Sequence, residues 1–147
     1  EYQDIQYRNV ISRYYTVSPE EMPDTYNAFL DEVREAGYTL RGPFFYTINS
    51  KLEENQDVLM ELFIPVEEEY IEDALPKEFL YHSLFQVLNT VSTRILEPDD
   101  ELVKEGISFL AGYIYYQGHC ELTPPFFFTT ISDGKVYTDI KVGVLKE

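Results

Sequence analysis

Apolar and polar positions alternate from Asp4 to Val17, DIQYRNVISRYYTV. Ile5, Tyr7, Ile11, Tyr15 and Val17 fall on one side, and Arg8, Ser12 and Thr16 on the other. A period of two predicts a strand. The period then changes. Met22, Tyr26, Phe29, Leu30 and Val33 recur at helical spacing and predict one buried stripe, with Gly37 as the stop. Ser18-Pro19-Glu20-Glu21 matches a capping box, but the ring of Pro23 would clash with the carbonyl four residues earlier. A separate turn is therefore expected before the helix proper. Strands follow at 42–49 and 56–66, joined by the polar loop KLEENQD.

The same order of periods runs through the second half. Residues 79–96 fit a long strand. Glu97-Pro98-Asp99-Asp100 opens a helix whose core stripe is Val103, Ile107, Leu110 and Ile114, and Gly118 ends it. Strands at 124–132 and 135–145 close the chain around a tight turn, Ser132-Asp133-Gly134-Lys135. This second helix carries another apolar line, Leu102, Phe109, Tyr113 and Tyr116, so a second cover is expected. The sister repeat, a pocket and another subunit are all open.

The two halves also share letters. VLMELFIPV (58–66) and VYTDIKVGV (136–144) align without a gap, placing Glu61 on Asp139 and Leu62 on Ile140. GPFFYTIN (42–49) and PPFFFTTI (124–131) lead into them, which equates Tyr46 with Phe128 and sets Phe45 and Phe127 on the opposite face. An internal repeat governs the fold. The expectation is an α+β single domain over 1–147, built of two tandem β-α-β-β repeats. The first spans 4–66 and the second 78–145, with an acidic linker at 67–77. They form a long antiparallel sheet with two main helices.

Parity along 58–66 puts Val58, Met60, Leu62, Ile64 and Val66 on one face and Leu59, Glu61 and Phe63 on the other. Both faces are apolar except for Glu61, so both should be covered. A buried carboxylate must find a partner or protonate. Glu61 is thus either a counter-charge for a cationic ligand walled by aromatics or half of an internal ion pair with Arg13 or Arg94. Asp139, between Tyr137 and Lys141, reads more readily as an internal pair.

Composition narrows the partners. Twenty-seven acidic residues against eleven basic ones leave a formal charge of −16, and no basic run forms a patch. A phosphate backbone requires several basic contacts, so nucleic acid is not an expected partner, and anionic membrane surfaces are disfavoured on the same ground. Cationic small molecules and basic proteins are the partners this field favours. No window is long and apolar enough for a membrane span, no secretory signal is visible, and the single Cys120 excludes an internal disulfide. A cytoplasmic protein is expected.

Catalytic signals are thin. His82 and His119 are the only histidines and make no zinc spacing with Cys120. His119-Cys120-Glu121 reads as a loop, and there is no phosphate loop or nucleophile elbow. No cofactor, metal or catalytic residue is expected.

With a G-P-x-F-like strand and an E-[LIV]-x-[IV]-P strand in each unit, the sequence resembles the GyrI-like small-molecule-binding superfamily. Its members include effector-binding domains of AraC-type and MerR-type multidrug regulators and stand-alone forms. The resemblance implies two repeats about a pseudo-two-fold axis and a ligand, often a lipophilic cation, in the cleft between them. It also implies a glutamate and neighbouring aromatics as ligand groups. By position these are Glu61 and Asp139, with Phe63, Tyr46, Phe128, Tyr137, Tyr113 and Tyr116 as the aromatic candidates. Asp139 is one methylene shorter than the family acid, and Gly143 stands where the motif has Pro. The tryptophan of the hydrolytic branch has no counterpart here. Both units use up the chain, so a stand-alone binder without a DNA-binding domain is expected. The alternatives are an acidic adaptor docking a basic protein or a second copy, and a hydrolase of the same superfamily.

Overall fold

The computed structural model describes residues 3–49, 57–71, 74–97 and 100–145. Strand β1 (Gln3–Val17) leads through a 3-10 turn (Pro19–Glu21) into helix α1 (Met22–Glu35), and strands β2 (Phe45–Ile48) and β3 (Val58–Pro65) follow. The second round runs β4 (Leu80–Leu96), α2 (Asp100–Tyr116), β5 (Cys120–Glu121), β6 (Phe126–Ser132) and β7 (Lys135–Leu145). This is the expected α+β order, with antiparallel strands and two helices. Pro98 and Asp99, expected to open the second helix, and most of the KLEENQD loop lie outside the described residues.

The chain divides into two compact units, Gln6–Phe85, and Glu1–Ile5 with Gln86–Glu147. Each thus takes in the opening residues of the other repeat's first strand. In the first unit β3 is antiparallel to both β1 and β2. Tyr14 and Thr47 lie opposite Glu61 on its two sides, and Phe45 lies opposite Phe63. Ile11, Met60, Leu62, Ile64 and Val66 face α1 and bury Phe29 and Val33 with Tyr38 and Phe79. The turn expected before α1 is present, and the Ser18 hydroxyl donates to Glu21 at 2.8 Å.

In the second unit β7 is antiparallel to β6 and β4. Phe128 and Arg94 lie opposite Asp139, and Phe127 and Thr93 opposite Ile140. Leu110 and Ile114 of α2 are buried. A side chain at Gly106 would come within 2.8 Å of Ile95 and 3.1 Å of Ile140, so α2 rests on the sheet through a position without one. Asp133 and Gly134 both have positive φ, as a two-residue hairpin turn requires.

Two details depart from the sequence reading. Asn9 adopts a left-handed conformation (φ 56°), which a strand pattern does not anticipate but asparagine tolerates. The register of β1 with β3 begins immediately after it, at Val10. The break reverses the alternation, so Tyr7 packs on Phe45, across the sheet from Ile11. Asn89 repeats the feature in β4, with φ 57° and a β7 register beginning at Thr90. The second departure is β5: Cys120 and Glu121 are no loop, because they pair with Leu145 and Val144. The first unit has the same pairing in reduced form, a bridge between Leu40 and Val66.

Candidate functional site

Glu61 is 8% exposed on the face of β3 turned away from α1. The Ser12 hydroxyl donates to its carboxylate at 2.7 Å, and His82 Nε2 lies 3.0 Å from the same hydroxyl oxygen. A carboxylate only accepts, so the single Ser12 proton goes to Glu61 and His82 Nε2 is the donor to Ser12. Ser12 is fully buried and its hydroxyl is already engaged by Glu61 and His82, which makes it a positioning contact. Burial first, then the Glu61 charge and a hydrogen bond to it, raises the phenol of Tyr14 above the ordinary tyrosine range.

Aromatics continue this face. Phe63 stacks on Phe45 at 4.8 Å between ring centres and meets Phe85 at 4.9 Å, and His82 closes on Phe85 edge-on. Leu59 and the half-exposed Tyr14 lie at its solvent end. Thr47, opposite Glu61 on β2, is 2% exposed, and its hydroxyl has no hydrogen-bond partner among the described residues.

Neither arginine considered for Glu61 pairs with it. Arg13 lies on the α1 side of the sheet, 3.5 Å from Glu32 and over the rings of Tyr15 and Phe79. Arg94 grips Asp139 through two hydrogen bonds of 2.7 and 3.1 Å. Among the described residues, Glu61 is bonded by hydroxyls and makes no ion pair, whereas Asp139 is an internal pair.

The remaining candidates fall elsewhere. Tyr46 lies opposite Leu62 and so faces α1, where it stacks on Tyr26 at 5.3 Å; burial raises both phenols. Phe128, its partner by sequence, shares the Asp139 face, with Lys141 5.0 Å above its ring. Tyr137 holds the Arg94 guanidinium at 5.3 Å. Tyr113 and Tyr116 lie on α2, and Tyr116 is 84% exposed beside Phe109 at 64%, so the second apolar line of this helix faces outward. Ser12, His82 and Thr47 were not singled out in the sequence. The available signal for Ser12 was a small hydroxyl on a strand beside an acid-bearing strand apolar on both faces.

Gly143, where the motif has Pro65, has a specific use. Its amide donates to Thr123 Oγ1 at 2.9 Å, and a Cβ there would lie 2.7 Å from Val87. Beside it a groove of about 600 Å³ is lined by residues such as Leu88, Leu122 and Leu145 and by no ionisable side chain. No group of three or more His, Cys, Asp or Glu among the described residues could hold a metal, and no described helix is long and apolar enough to cross a membrane.

Two β-α-β-β rounds, with an acid on the last strand of each, make an α+β fold that solved structures share. The crystal structure of the EcmrR C-terminal domain is similar, with a TM-score of 0.77 at 16% identity over 99% of both chains. EcmrR in its cryo-EM complex with DNA gives 0.78 at 15% identity, covering 99% of this chain and 58% of that one. A hydrolase from Listeria innocua gives 0.65 at 12% identity, covering 99% and 92%. The chain belongs to the DUF5085 family (domain of unknown function), whose model matches residues 6–146. No curated protein matches it.

Proposed function

We propose that the chain is a ligand-binding domain that takes a small lipophilic cation at Glu61. One observation carries this reading. Glu61 is a nearly buried carboxylate held by neutral hydroxyls beside an aromatic wall, with no ion-pair partner among the described residues. A buried charge without a counter-ion favours an incoming cation, and ring faces add roughly 0.5–2 kcal/mol to its capture. Asp139 is excluded from this role by Arg94. The domain acts without chemistry on its ligand, by itself or joined to another module. A thermal-shift panel of aromatic ammonium compounds and cationic dyes tests it. Some cations should raise the melting temperature of the wild type and of Asp139→Asn, and Glu61→Gln should lose that response. A panel without effect, or an undiminished response in Glu61→Gln, removes the reading.

A second reading rests on α2. Phe109 and Tyr116 stand out from a chain of net charge −16, the surface expected of an acidic module docking a basic amphipathic partner. NMR titration with a Lys/Leu amphipathic helical peptide decides it. Shifts confined to 102–116 support it, and dispersed shifts or none remove it.

A further inference from the structure

The Thr47 hydroxyl, without a partner among the described residues, narrows the ligand class. Buried polar groups in folded chains are nearly always bonded, and one left open calls for an explanation. Thr47 is 2% exposed and lies in register opposite Glu61, so both side chains leave the same face of neighbouring strands. On its other flank Glu61 is already served by Ser12. The open acceptors of this site therefore lie toward β2: the remaining lone pairs of the carboxylate and the oxygen of Thr47.

A quaternary ammonium meets such a site poorly. It satisfies the charge of Glu61 but has no N–H for Thr47, which would stay buried and unpaired. A primary or secondary ammonium supplies two N–H groups at one nitrogen, enough for the carboxylate and the hydroxyl together. Resting on the reading of Glu61 as the cation site, we propose that the ligand is a protonated amine bearing N–H groups and that Thr47 selects it over permanently alkylated cations. Tyr14 and Leu59 are the exposed side chains on this face nearest Glu61.

Calorimetric titration with 2-(naphthyl)ethylammonium and its N,N,N-trimethyl analogue tests this at constant ring and charge. In the wild type the ammonium should bind at least about tenfold more tightly, the range of one hydrogen bond to a charged group. Thr47→Val should bring the ratio to near unity by weakening the ammonium alone, and Thr47→Ser should retain it. Equal or tighter binding of the trimethyl compound to the wild type overturns the role of Thr47, as does a ratio unchanged in Thr47→Val. Glu61→Gln should weaken both compounds. If neither binds the wild type, or both bind Glu61→Gln unchanged, the cation site itself is refuted and Thr47 selectivity with it.

Discussion

The Ser12 hydroxyl donates to the Glu61 carboxylate across 2.7 Å in the interior of the first unit. The contact joins residues 49 apart in sequence, and His82 Nε2 lies 3.0 Å behind it on the Ser12 oxygen. It holds the carboxylate in place without supplying a compensating charge. The duplicated acid has the opposite fate. Asp139 is gripped by Arg94, so of the two equivalent acids one is held by neutral hydroxyls and the other by a guanidinium.

Removing the hydroxyl should therefore be costly in a way that depends on its partner. Ser12→Ala removes one of the hydroxyl donors of a buried carboxylate, and a loss of about 1–3 kcal/mol in urea denaturation is expected. In a Glu61→Leu background the same substitution should cost much less, because no charge remains to be orphaned. Additive losses would show that the two residues are not coupled.

The departure from the motif at Gly143 is testable by restoring it. Gly143→Pro would delete the N–H that serves Thr123 and force ring atoms toward Val87. A loss of about 2–4 kcal/mol is expected from the missing bond and the overpacking together. Gly143→Ala should be milder and should recover in part when Val87→Ala makes room. Neutral behaviour of Gly143→Pro would mean that the glycine is incidental.

The periods of two and of 3.6 laid out the strands and helices, and the repeated acid-bearing strand identified their order, because both signals are local and written twice. Facing was less legible. Asn9 looks like any polar position in a strand, yet its left-handed backbone turns Tyr7 to the other side of the sheet. The alignment of Tyr46 with Phe128 fails in space because the hairpin registers differ by one. Thr47 lies opposite Glu61, whereas Phe128, not Thr129, lies opposite Asp139. A slip of one residue exchanges every side chain between faces. Ser12 and His82 are 70 residues apart, and no spacing rule links them before the strands are placed.

The segment after β3 should make the first unit acid-sensitive. Glu68 accepts from the Thr39 amide and from the Thr39 hydroxyl, both at 2.7 Å, and these bonds, the amide first, hold its carboxyl below the usual carboxylate range. A group with a depressed folded pKa stabilises the fold above its unfolded value, about 4.3, and loses that contribution as pH falls through the folded one. Glu68→Ala should therefore melt below the wild type at neutral pH, and the gap should close as pH falls from about 5 toward 2. A gap independent of pH would assign the effect to packing instead.

The two glycines of α2 should respond oppositely to enlargement. Gly106 has Ile95 and Ile140 within 2.8 and 3.1 Å of where a Cβ would stand, whereas nothing lies within 4 Å of that position at Gly112. Alanine at Gly112 adds helix propensity without a clash, so Gly112→Ala should stabilise the protein by about 0.5–1 kcal/mol. Gly106→Leu must push α2 off its isoleucines and should destabilise it by about 1–3 kcal/mol. Chemical denaturation of both variants checks the pair. Equal effects would mean that α2 does not rest on β4 and β7 through Gly106, while a loss at Gly112 would show that the exposed aromatic side of the helix is covered in solution.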